Sequence, residues 1–172
     1  MAKGIGYRPG TAVTWLASGG NKTILLDGLT SGAAGQGEKS DSFLNIAGLL
    51  PAFIRWRFDA AVSAAANNGR EISLHIGQSD HVSPGTNNPG NLSGVASNLF
   101  SAIEVLGQLD RIGPLILANT RGTNVQRVWL TSYPRSPYQI PVIYNDSGQV
   151  LTSSAGVNFL QAIPYYQSVE TI

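Results

Sequence analysis

The chain of 172 residues has no cysteine, two histidines, one methionine and only 12% charged side chains. Without cysteine there is neither a disulfide framework nor a thiolate metal site. The 10 carboxylates are scattered singly, so the sequence places no acid–base pair, and no catalytic residue is assigned. Formal charge is +1, from 11 basic and 10 acidic residues. That is too balanced for a protein that grips nucleic acid by its phosphates. No apolar run approaches the ~18 residues of a membrane span, and the first 20 residues lack the apolar core of a signal peptide. Neither nucleic acid nor membrane is expected as a partner. A chain so weakly charged often hides part of its surface in another protein.

What is abundant is turn chemistry, with 20 glycines and 9 prolines separating short apolar runs. Phe53–Ala60 is the clearest strand: Ile54, Trp56 and Phe58 alternate with Arg55, Arg57 and Asp59. Glu71–Gly77 alternates in the same way and reads as its hairpin partner. Val13–Ala17 and Lys22–Asp27 read as a second hairpin across Ser18-Gly19-Gly20-Asn21. Residues 30–41 read as a polar, Gly-rich loop, residues 78–94 as the longest structureless segment, and residues 95–109 as a short helix or irregular strand. From residue 112 the pattern is β again, over Ile112–Ala118, Val125–Tyr133, Ile140–Tyr144 and Val157–Val169. Pro134, Pro137 and Pro141 place their stretch at a sheet edge or corner. Nine to eleven strands without internal repeat predict an all-β fold: a jelly-roll-like antiparallel β-sandwich with one short helix and long end-loops. Residues 1–11 are expected as an extended N-terminal arm and residues 12–172 as a single sandwich domain.

Several segments imitate functional motifs and fail on spacing. Gly32–Ser40 nearly spells a phosphate-binding loop, but Glu38 stands where the lysine should follow the second glycine. Gly4–Gly10 misses the dinucleotide fingerprint. Ser79-Asp80-His81 contains the residue types of a hydrolase triad, yet consecutive residues cannot hydrogen-bond in series. His75, on the polar face of its strand, reads as solvated or hydrogen-bonded. Asp80, His81, Thr86 and Asn87 could offer oxygen ligands to Ca²⁺, with only one local carboxylate. Arg55-Trp56-Arg57 has the look of a nucleic-acid stacking site, but alternation buries Trp56 and leaves an ordinary sheet face. No metal and no cofactor is expected.

The stretches LNIAGLLPAFIRWRFDAAVSAAANNGREISLHIGQSD, GTNNPGNLSG and VIYNDSGQVLTSS resemble small virion proteins of tailed bacteriophages, jelly-roll sandwiches that decorate the head as cement proteins. The likeness runs through residues 40–170. It implies a structural virion protein without enzyme activity, located on the outer capsid surface. It also implies a homotrimer bound to the major capsid protein. In that setting the arm, with Tyr7 and Arg8 as anchors, is expected to dock on the shell. The alternative is a carbohydrate- or receptor-binding module of a phage tail, with Tyr133, Tyr138, Tyr165 and Tyr166 as stacking platforms.

Overall fold

A computed structural model describes residues 3–66, 70–100, 103–118, 124–154 and 156–171. The elements run β1 (Lys3–Pro9), β2 (Val13–Leu16), β3 (Lys22–Thr23), β4 (Ala34–Gln36), β5 (Phe53–Ala60) and β6 (Glu71–Ser79). A short 3-10 helix (Pro89–Asn91), β7 (Ser97–Phe100), α1 (Ile103–Leu106), β8 (Asp110–Ile116), β9 (Gln126–Ser132), β10 (Tyr138–Asp146) and β11 (Phe159–Thr171) follow. Two sheets pack as a sandwich. Sheet I has the order β3-β2-β11-β5-β9, with β1 also on β11; sheet II has the order β7-β4-β10-β6-β8. The expected all-β sandwich is what forms.

Period-2 alternation explains the core. Ile54, Trp56 and Phe58 of sheet I meet Ile72, Leu74 and Ile76 of sheet II, all essentially without solvent contact. The rings of Trp15 and Trp56 lie 5.6 Å apart, centroid to centroid, at the centre. Each indole N–H finds an acceptor: Trp15 Nε1 donates to the Glu38 carbonyl and Trp56 Nε1 to Ser132 Oγ, both at 2.8 Å. A second, smaller cluster lies on the outer face of sheet II, where Leu92 and Leu109 cover Ile140 and Val142. The outer face of sheet I has no such cover among the described residues.

Four local expectations change. β5 and β6 are not a hairpin: β5 pairs with β11 and β9, whereas β6 pairs with β10 and β8 in the other sheet. The small, buried Ala60, Ala61 and Val62 carry the chain across, and Val62 bridges Leu151. β2 and β3 pair in parallel rather than as a hairpin. At their junction a side chain on Gly20 would lie 2.8 Å from the carbonyls of Thr14 and Lys22. Only glycine lets the chain double back this tightly before β3 sets off in the same direction as β2. The polar loop at 30–41 contains β4, a buried strand between β10 and β7. Just past its end a Cβ on Gly37 would sit 2.9 Å from both Trp15 and Pro141, so only glycine fits there.

Pro141 lies inside β10, a central strand, not at an edge. Its carbonyl accepts from Gly37 N, just past the end of β4. The two backbone groups of a strand residue point the same way, so the missing N–H faces the place where β4 has already stopped. The segment at 95–109 resolves as both of its readings, with β7 and α1 at four residues each.

The Trp56–Ser132 pair provides a direct test of the core. Trp56→Ala should cost about 3–5 kcal/mol of unfolding free energy, and Ser132→Ala about 1–3 kcal/mol by orphaning the indole N–H. Urea denaturation reads both; a Ser132→Ala variant as stable as wild type would show the bond contributes nothing.

Candidate functional site

The candidate site is one end of the sandwich. β11 pairs with β5 only over Phe159–Tyr165, while β1 pairs with it from Tyr165 to Thr171. Among the described strands, residues 166–171 therefore have β1 as sole neighbour, and the pair forms a two-stranded ribbon past the end of β5. On one face of that ribbon Ile5 and Val169 stand opposite each other, 73% and 72% exposed. Tyr7 follows on the same face and packs edge-on against Phe53, which stacks on Tyr165.

Beside the ribbon's base stands a rigid loop. Phe43 is buried; its N–H donates to the Pro137 carbonyl and its own carbonyl accepts from Tyr166 Oη at 2.6 Å. At the other end of the loop, Ala52 N donates to the Tyr165 carbonyl. Between these anchors Asn45 ties the tip: its Oδ1 accepts from Ala47 N and Leu49 N, both at 2.9 Å, its carbonyl accepts from Gly48 N, and its N–H donates to the Leu49 carbonyl. The loop thus presents Leu44, Ile46 and Leu49 to solvent; Ile46 is fully exposed and Leu49 62% exposed. No charged residue occurs from Ser42 to Ile54. Tyr133, 73% exposed, leaves β9 at the same end, next to Phe53. Half of the exposed large apolar side chains among the described residues gather here.

The site therefore contains Tyr7 but divides it from Arg8. Neighbouring residues of a strand point to opposite faces: Tyr7 joins the aromatic row with Phe53 and Tyr165, while Arg8 lies across from Tyr166 on the other side. Read as sequence, Phe43–Ile46 and Leu49 onward are apolar runs suited to a core. The turn signal Asn45-x-x-Gly48 followed by Pro51 was the clue that they form a loop. Of the four tyrosines offered as sugar platforms, Tyr165 is stacked on Phe53 and Tyr166 is hydrogen-bonded to the Phe43 carbonyl. Tyr138 is half-buried, and only Tyr133 stands largely open.

The loop after β6 is held by a buried cation. Lys39 is 4% exposed, and its ammonium donates to the carbonyls of His81 (2.7 Å), Ser83 (2.8 Å) and Thr86 (3.2 Å) and to Ser79 Oγ (3.0 Å). The Ca²⁺ ligands suggested by the sequence are thus displaced from that role: the carbonyls of His81 and Thr86 converge on Lys39, not outward on a metal. Burial lowers the lysine's pKa from its ordinary value. Among the described residues no group of three His, Cys, Asp or Glu side chains could hold a metal. Ser79-Asp80-His81 forms no triad, since Ser79 Oγ is engaged with Lys39 and His81 Nδ1 accepts from Ser83 N.

His75 is buried, not solvated, because Leu92, Val105, Leu106 and Leu109 pack on the outer face of sheet II. Its Nε2 pairs with Ser73 Oγ at 3.0 Å, and Nδ1 has no partner. Desolvation, then the nearby Arg111 charge, push its pKa down to about 4, with Glu71 opposing. It is neutral at pH 7 and poorly placed for proton transfer. No protein-family model matches the chain, and a search of the curated proteins returns no match.

Two predictions follow from these buried groups. Below pH 6.5 the unfolded histidine takes up a proton that native His75 refuses until about pH 4. Stability should therefore be full above pH 6.5 and fall by about 3 kcal/mol as pH drops towards 4. His75→Gln should flatten that slope in urea titrations at stepped pH; an unchanged slope would discard the assignment. Lys39→Met leaves three loop carbonyls without their donor and should cost about 2–4 kcal/mol. It should also make 80–88 the first segment cut in limited proteolysis, whereas wild-type resistance would count against the ammonium as the loop's anchor.

Proposed function

We propose that this chain is a structural, non-catalytic protein of a tailed-phage virion. In this reading it binds the outside of the capsid through the apolar end of its sandwich and stabilises the shell as a homo-oligomer, a trimer by resemblance. The observation that carries it is the pre-ordered tip of Leu44, Ile46 and Leu49 beside the ribbon of Ile5 and Val169. A tip already fixed by Asn45 and anchored by Phe43 loses little conformational freedom on docking. It needs no reactive group, and the buried His75 and Lys39 serve the fold. The partner is the major capsid protein, offering an apolar recess that receives the tip. Arg8, on the ribbon face that carries Tyr166 and the loop, contributes beside the tip; Tyr7 contributes from the ribbon's other face.

Burying an isoleucine and a leucine is worth about 1.5–3 kcal/mol each, so losing both should weaken binding by at least ~100-fold. The Ile46→Asp, Leu49→Asp double variant should accordingly fail to bind undecorated heads in co-sedimentation. Its melting temperature should stay within a few degrees of wild type, because both side chains already face water. Retained binding by the variant, or no saturable binding of the wild type to heads, would sink the proposal.

A further inference from the structure

The broad outer face of sheet I runs on from the aromatic row of Tyr7, Phe53 and Tyr165, away from the Leu44–Leu49 tip, and carries its own chemistry. From β5 it presents Arg55 and Arg57, from β9 Arg127 and Trp129, and from β11 Phe159. Arg57 lies over the Phe159 ring at 4.6 Å, and Arg55 over Trp129 at 5.0 Å. Trp129 is 46% exposed, whereas Trp15 and Trp56 are wholly buried. A single carboxylate serves two of the three guanidinium groups. Asp59, 4% exposed, accepts two hydrogen bonds from Arg57 and two from Arg127, between 2.6 and 3.3 Å. Burial alone would raise its pKa, but the hydrogen bonds and charges of Arg127 and Arg57 outweigh that and lower it, so it is ionised. Its oxygens are fully used, and among the described residues Arg55 has no carboxylate partner.

We infer that this face binds a carboxylate-bearing segment of a protein partner, with Arg55 as the fork for the acid and Trp129 as the apolar anchor beside it. Charge decides the occupant. With three arginines against one aspartate the face is net +2, on a chain whose total is +1. Two copies set face to face would oppose +2 with +2, which rules out self-pairing through this surface. A nucleic acid calls for a denser field of cations than one uncommitted arginine and two already shared with Asp59. Arginine and tryptophan on a flat, pre-ordered frame are what protein recognition sites concentrate. Arg55 is held ready by the Trp129 ring and presents a planar pair of donors that fits a carboxylate.

The test uses the full chain and a fluorescein-labelled octaglutamate peptide at low ionic strength. Saturable anisotropy change is expected, with quenching of the exposed tryptophan emission, which Trp129 alone supplies among the three tryptophans. Arg55→Glu should weaken binding at least 10-fold and Arg55→Gln by less, with the urea unfolding midpoint little changed since the side chain is exposed. Raising salt to 0.5 M should also weaken it. Absence of binding, equal binding by Arg55→Glu, or tighter binding of a thymidine 20-mer than of the peptide would each overturn the inference. The Ile46→Asp, Leu49→Asp variant should bind the peptide normally, so failure here and failure at the apolar end are distinguishable.

Discussion

The architecture depends on a mismatch of strand lengths. β11 is 13 residues long and β5 only 8, and because they run antiparallel β11 begins opposite the end of β5, Phe159 beside Asp59, and overruns its start at Phe53. Whatever β11 has left over must find another neighbour, because a strand in water with open hydrogen-bonding groups on both sides gains nothing from being extended. β1 supplies that neighbour on one edge, and β2 continues along the same edge after a break at Gly10. Pro164 faces that break: its carbonyl accepts from Gly10 N, so the missing imino hydrogen falls where no regular ladder bond is due. The overhang, the ribbon and the base of the Leu44–Leu49 loop are thus consequences of one long strand with partners of unequal reach.

A two-stranded ribbon has little stability of its own in water. Here it is anchored at its base, where Tyr7, Phe53 and Tyr165 form a continuous aromatic row. Tyr166 on the opposite face is hydrogen-bonded to the Phe43 carbonyl. The same pair of adjacent tyrosines therefore fixes the ribbon on one side and the apolar loop on the other. Ribbon and loop are coupled through backbone and ring contacts rather than projecting independently, and this makes two otherwise frail features one rigid end of the sandwich.

How much of this was legible depended on which physical signal a segment carried. Alternation at Phe53–Ala60 and Glu71–Gly77 writes a buried face into the sequence; the first strand appears as read, and the second runs on to Ser79 with both faces covered. Their pairing was not legible, because alternation says which face is buried but not which strand lies alongside. β4 was missed since Ala34-Gly35-Gln36 has the composition of a turn; its burial follows from its place between β10 and β7, which no local pattern records. Lys39 gave no signal at all, as a single lysine in a polar stretch normally reads as solvated. The loop at Leu44–Leu49 was the reverse case, apolar residues whose natural reading is core but whose Asn45 turn places them outside.

Trp129 shows most clearly why an outward face is harder to read than an inward one. Val128 and Leu130 belong to the core edge, and Arg127, Trp129 and Thr131 to the other side. Periodicity alone permits either assignment, since tryptophan suits a core better than valine does. The choice is made across strands: Arg127 opposite Asp59 brings the guanidinium to the one buried carboxylate, and reversing β9 by one residue would strand that charge against the core. Leaving a buried ion unpaired costs several kcal/mol, more than is gained by burying one further indole at the sheet's edge. The ion pair therefore sets the register, and the register pushes Trp129 into the open beside Arg55. A polar interaction on the surface of the sandwich thus dictates which apolar side chain remains available to a partner.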